Sequence, residues 1–220
     1  MTGTNEYDEG MGPESTEGLL LPPWERRDRY GFLNGLYLTI KDVLLAPRQF
    51  FHRMPSQVGL VQPLMFALVV GVAATFVSWM WALAGSSLQM LVQESLDEAV
   101  KGPLFSFIAF VTSPITVAIT LFIQAGLIHL MLMLVGGNKL GFEATFRVVA
   151  YGEASSIFAL VPFCGAFLIL VWGLFVTIVG LYSIHDTDPW KAVVAVLLPV
   201  LFCLSAIGGS VLVLLTGLSS

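Results

Sequence analysis

An ionisable side chain inside an apolar run is costly to bury alone, so each one marks a place where chemistry or a specific partner is needed. Glu153 is the sharpest case, with Gly152, Ala154, Ser155 and Ser156 around it in an otherwise apolar stretch. It sits nine residues or so into that stretch, roughly 14 Å along a helix at 1.5 Å per residue, near the middle of a bilayer. Two roles stay open for it: a protonated carboxyl hydrogen-bonded to a neighbouring helix, or a proton- or ion-coupled site. Gln124 and His129 lie in the preceding apolar run, and His129 meets Glu153 if the two helices pack together. Gln124, His129 and Glu153 therefore form a candidate intramembrane polar site.

A second candidate lies toward one end of the same elements. Glu143, Arg147, Tyr151 and Ser155 recur every four residues, which puts a polar stripe along one helix face. Glu153 is six residues from Arg147, about 240° around the helix, so those two do not pair directly. His185 and Asp186 lie in the turn from Ser183 to Pro189, on the side where Arg147 emerges. Arg147, Tyr151, His185 and Asp186 are thus a candidate cytoplasmic-face cluster. Asp188 before Pro189 reads as a helix start, with Asp at the cap and Pro at the first position.

Other chemistry finds little material. Cys164 and Cys203 both stand in apolar runs, with no His or carboxylate near either at ligand spacing, so neither a disulfide nor a metal site is expected. There is no phosphate-cradling glycine loop, no HExxH, no CxxC and no GxSxG on a strand, turn and helix. No cofactor, nucleic acid or catalytic activity is expected.

The elements that must position these residues are membrane spans. Hydrophobic residues make up 56% of the 220 and charged residues only 11%, less than half the share usual in soluble domains. The mean hydropathy is +0.85. Apolar stretches that meet the requirement of about 20 residues run from Pro63 to Leu83, Leu104 to Val135, Ala144 to Val161, Gly165 to Ile184 and Ala192 to Leu215. The second is long enough to tilt or to kink at Pro114, the third is the most polar, and the fifth contains Pro199. Ala67, Gly71 and Thr75 give the first span a row of small residues suited to close helix contact, within the chain or between copies. The alternation of a membrane barrel is absent.

Charge placement orients the bundle. Six of the ten Lys and Arg (Arg26, Arg27, Arg29, Lys41, Arg48, Arg53) precede the first span, and Lys139, Arg147 and Lys191 return to the same side. The amino terminus is expected to be cytoplasmic, and five spans then put the carboxyl end outside. The stretch from Leu36 to Met54 alternates apolar residues with Lys41, Arg48, His52 and Arg53, and Pro47 should break it. It suits a helix in the membrane interface or one packed on the bundle. Ahead of it Glu6, Asp8, Glu9, Glu14 and Glu17 fall in eighteen residues without Lys or Arg. That stretch reads as a disordered acidic tail, not a signal peptide. The expected organisation is all-α: an acidic tail over 1–23, an amphipathic cytoplasmic segment over 24–55, and a five-helix transmembrane bundle over 56–220.

Four stretches resemble the Yip1-domain family, in its bacterial type. Phe142-Glu143-Ala144-Thr145-Phe146-Arg147 is similar to the segment opening that family's third span. Pro162-Phe163-Cys164-Gly165, with Trp172 following, resembles its Pro-x-x-Gly turn. Gly180-Leu181-Tyr182-Ser183-Ile184-His185, followed by Trp190-Lys191-Ala192, resembles its last turn and last span. Pro47-Arg48-Gln49-Phe50-Phe51 is similar to its "P-x-x-F-F" segment. The resemblance covers about residues 36 to 215. Eukaryotic members are five-span proteins of the early secretory pathway that associate with Rab GTPases and with one another. What the resemblance implies is thus an architecture and a binding role.

The function expected from these readings is a non-enzymatic scaffold or adaptor, in a bacterial inner membrane, that binds other membrane proteins or lipids and that can also self-associate. The competing class is a proton- or ion-coupled transporter, or a subunit of one, that uses Glu153.

Overall fold

The computed structural model describes residues 20–92, 96–201 and 205. The first nineteen residues of the acidic tail, Glu94, Cys203 and the later part of the expected fifth span with the carboxyl end lie outside the described residues.

The described residues form helices and no strand. A 3-10 turn (Pro23–Arg26) leads into α1 (Arg27–Tyr30), α2 (Phe32–Leu45) and α3 (Pro47–Arg53). Pro47 opens α3 because its missing N–H costs nothing in a first helical turn, and its ring ends α2 just before it. Then come α4 (Val61–Val92), α5 (Leu96–Leu134), α6 (Gly141–Gly152), a second 3-10 segment (Glu153–Leu160), α7 (Gly165–Ile184) and α8 (Pro189–Leu201).

Three stretches are long and apolar enough to cross a membrane: Val61–Ser87, Lys101–Leu134 and Gly165–Ile184. Their exposed faces carry large apolar side chains such as Phe105, Ile115, Phe167 and Leu170, which is the surface a lipid solvent permits. α4 and α5 pack as a hairpin, and a Cβ added at Gly71 would sit 3.0 Å from the Val117 side chain, so the small-residue row of α4 serves contact within the chain. Pro114 deprives the Phe110 carbonyl of its usual helical donor. Ser113 Oγ donates to that carbonyl at 2.7 Å, so α5 continues through the proline.

The expected third span is not one regular α-helix. It is α6 followed without a break by eight residues of 3-10 helix. At 1.5 and 2.0 Å per residue the two parts together reach about 34 Å. The change of pitch falls at Gly152 and Glu153, and Ser155 Oγ donates to the Gly152 carbonyl at 3.0 Å across the junction. This element is the centre of the bundle: every residue from Ala144 to Gly152 is buried, among α4, α5, α7 and the amino-terminal helices.

The helix ends gather the basic residues at one end of the bundle. α5 closes on Gly136, whose φ of +66° sets the left-handed cap and lets Gly137 N–H reach the Leu132 carbonyl at 2.8 Å. Lys191 Nζ donates to the Gly136 carbonyl at 3.3 Å, joining that cap to the start of α8. α7 ends the same way on Asp186 (φ +45°), with Thr187 N–H on the Tyr182 carbonyl at 3.2 Å. The amino-terminal layer covers this end. Trp24 is fully buried, its N–H on Thr39 Oγ1 and its indole N–H on the Gln62 carbonyl, both at 2.9 Å. Phe51 of α3 lies so close to Gly180 of α7 that a Cβ there would come within 2.9 Å of the ring. The segment from Leu36 to Met54 therefore packs its inner face on the bundle. Leu33, Tyr37 and Leu45 stay exposed on the outer face.

Candidate functional site

Three polar assemblies lie along the central element. The first is a buried ion pair. Arg147 of α6 has no exposed side-chain surface, and a guanidinium cannot shed its charge, so it demands an anion. Glu25 from the first 3-10 turn supplies it, with a side chain only 5% exposed. Arg147 Nη2 and the Tyr151 hydroxyl both donate to Glu25 Oε1. Arg147 Nη1 donates to the Gly59 carbonyl at 3.1 Å, and Gly59 N–H in turn donates to Glu143 Oε1. Of the three guanidinium nitrogens, only Nε is buried without a partner among the described residues. Phe50 and Phe66 edge the Tyr151 ring at 5.5 and 5.0 Å and keep water away. The arrangement is a clamp: a charge in the bundle core is neutralised only when the amino-terminal layer is docked.

The second assembly is a chain of hydrogen bonds. His185 Nδ1 faces the backbone N–H groups of Lys139 and Leu140, each at 3.3 Å, so that nitrogen accepts and the proton sits on Nε2. Nε2 is 3.1 Å from Thr145 Oγ1, which is 3.0 Å from His129 Nδ1. With His185 donating to Thr145, the threonine hydroxyl donates to His129, and the chain runs inward from the turn to α5. Burial first, then the nearby His129 and Lys139 charges, push the His185 imidazole down to about 4. A neutral His185 is thus a fastener between the α5–α6 turn and the end of α7.

The third assembly is a cavity of about 500 Å³ among α5, the central element, α7 and α8. Thr120, Gln124, Glu153, Ser155, Ser156 and Thr177 are its polar lining, in walls otherwise built from residues such as Ile128 and Leu174. Glu153 Oε2 accepts from Ser156 Oγ at 2.9 Å.

The residues singled out from sequence separate as follows. Glu153 and Gln124 line one cavity, while His129 partners Thr145 and Phe142 instead. Arg147 and Tyr151 share Glu25, whereas His185 belongs to the neighbouring chain of hydrogen bonds. Asp186 points outward, 96% exposed, in a loose ion pair with Lys139 at 3.8 Å. Glu25 escaped the sequence reading because it stands among Trp24, Arg26 and Arg27, where charge counting registers only a basic segment. The available signal was only general: a buried arginine needs a carboxylate, and Glu25, Asp28 and Asp42 are the acids that segment offers. Thr145 escaped because a threonine in a helix is unremarkable until two imidazoles converge on it. Among the described residues no three His, Cys, Asp or Glu are grouped to hold a metal, and Cys164 is a free, exposed thiol.

Comparison with known proteins places this arrangement. No curated protein and no solved structure matches the chain. The Yip1 domain family does match, over residues 41–210, a range that takes in α3, the three long apolar spans, the central element and α8. That match covers most of the chain and coincides with the spans that carry the polar assemblies: the protein is a membrane protein of the Yip1 domain family.

Proposed function

We propose that the protein is a non-enzymatic five-span membrane adaptor whose amino-terminal layer presents a binding surface to other membrane proteins or lipids. The observation that carries this reading is the buried Glu25–Arg147 pair, which fixes the layer from Pro23 to Arg53 on the bundle in one position. A layer held that way displays Leu33, Tyr37 and Leu45 on its outer face, apolar side chains with no cover of their own. The central element, about 34 Å long, supplies a fourth crossing to the three long helices, and α8 begins a fifth. Nine of the ten Lys and Arg then lie at the layered end and Lys101 at the other, so the layer faces the cytoplasm of a bacterial inner membrane. Leu33→Glu and Tyr37→Glu should abolish crosslinking of partners through residues 24–54 in native membranes while leaving thermal unfolding unchanged. Undiminished crosslinking in both variants would count against the adaptor.

The cavity favours a second reading, a proton- or ion-coupled transporter or subunit. Glu153 is a carboxyl at membrane depth with room beside it and Pro199 in the facing wall, features that transport sites share. In reconstituted vesicles, Glu153→Gln that folds normally but loses a pH-dependent flux would establish that reading over the adaptor.

A further inference from the structure

A groove of about 650 Å³ runs between α3 and the layered end of α7. Its polar lining is Arg48, Gln49 and His52 of α3 and Tyr182 of α7, with Arg48 and His52 one turn apart on the same helix face. The Arg48, His52 and Tyr182 side chains have no hydrogen-bond or ion-pair partner among the described residues, and no Asp or Glu lines the groove. Its floor is apolar: Phe175, Val179 and Leu45. Phe175 is 47% exposed and continues the row of Phe167 and Leu170 down the outer face of α7, so the floor opens onto the lipid-facing surface. A cationic rim over an apolar slot, at the level where a span leaves the membrane, matches a phosphate headgroup above an acyl chain. A soluble anion would use the rim and leave the floor bare.

We propose that this groove is a binding site for an anionic phospholipid, with the phosphate on Arg48, His52 and Tyr182 and the first part of an acyl chain on Phe175 and Val179. The inference rests on the reading that this end faces the cytoplasm and binds lipid, and it names the lipid class and the site. Arg48 serves as the cationic anchor, while the His52 ring N–H and the Tyr182 O–H direct the phosphate oxygens.

The test uses the full chain in a neutral detergent, with bound lipid counted by native mass spectrometry. Phosphatidylglycerol should be retained in preference to phosphatidylcholine, and millimolar inorganic phosphate should not displace it. Arg48→Gln should lower phosphatidylglycerol retention about fivefold, the effect expected of one cationic contact at a membrane surface. Arg48→Gln with His52→Gln should lower it further, and phosphatidylcholine retention should not change. Lys41→Gln, exposed on α2 outside the groove, should leave retention intact. Equal retention of the two lipids, no effect of Arg48→Gln, or an equal loss with Lys41→Gln would each overturn the proposal. So would phosphatidylglycerol binding that emerges only after Glu14→Gln and Glu17→Gln, because the tail would then be the occupant. Arg48 is exposed, so its single variant keeps the test open if the double variant is not recovered. Loss of lipid preference with partner crosslinking intact defeats this proposal alone; the reverse pattern defeats the adaptor alone.

Discussion

The clamp around Arg147 and the cavity around Glu153 stand within a few turns of each other on the central element, and both bury a charge-bearing side chain. They solve the problem differently. Arg147 meets a carboxylate, a carbonyl and a tyrosine already satisfied by the same carboxylate, in a space packed with aromatic rings. Glu153 has the Ser156 hydroxyl and an open space of about 500 Å³. A carboxyl can take up a proton and persist with one hydrogen bond, but a guanidinium cannot lose its charge, so only arginine compels the fold to supply a counterion. The clamp is therefore part of what holds the layer on the bundle. The cavity is free to differ in occupancy and protonation without the fold failing.

That contrast is open to direct attack. The largest effect belongs to Glu25→Gln, which leaves Arg147 as an uncompensated buried charge. It should cost about 3–5 kcal/mol of stability, read from thermal or denaturant unfolding in detergent. Next is the pH response of the fastener between the turns. The unfolded His185 titrates near its ordinary 6.5 and the folded one near 4, so its contribution is fully present above about pH 6.5 and is lost as the pH falls toward 4. The total is on the order of 3 kcal/mol from the size of that shift. His185→Gln, which keeps an acceptor for the two backbone N–H groups, should flatten the acid slope measured by unfolding at stepped pH.

A smaller effect is expected where the layer meets the bundle. Gly180→Ala would place a Cβ 2.6 Å from Val148 and 2.9 Å from Phe51, and overpacking of that kind costs about 1–3 kcal/mol. Proteolysis between Met54 and Leu60 should quicken in that variant. The smallest belongs to the cavity: Glu153→Gln should change stability by less than about 1 kcal/mol, because Gln keeps an acceptor for Ser156. A larger loss would place Glu153 with Arg147 as a structural group and erase the difference between the two regions.

Much of this was legible beforehand, for reasons the residues make plain. The spans at Val61–Ser87, Lys101–Leu134 and Gly165–Ile184 follow from uninterrupted apolar runs, a signal that needs no tertiary knowledge. Pro47 marked the break between α2 and α3, and the pattern of the family's segments was readable from Phe142 to Ala192. Glu153 stood out from burial cost alone; it shares a cavity with Gln124, while His129 turns to Thr145. The pairing of Glu25 with Arg147 was not legible, since it joins residues 122 positions apart through a layer whose docking no local pattern encodes. The 3-10 continuation of α6 escaped for a related reason. Small and polar residues from Gly152 to Ser156 permit either pitch, and the neighbours on α4 and α7 select one.

The central claim is that one buried ion pair fastens the amino-terminal layer to the bundle. A double-mutant cycle tests it most directly, with Glu25→Gln, Arg147→Met and the pair of substitutions compared by unfolding in the same detergent. The account predicts that the double variant recovers most of the stability either single variant loses, with a coupling of about 2 kcal/mol or more. Additive losses, with a coupling near zero, would show that Glu25 and Arg147 stabilise the protein independently and would contradict the clamp.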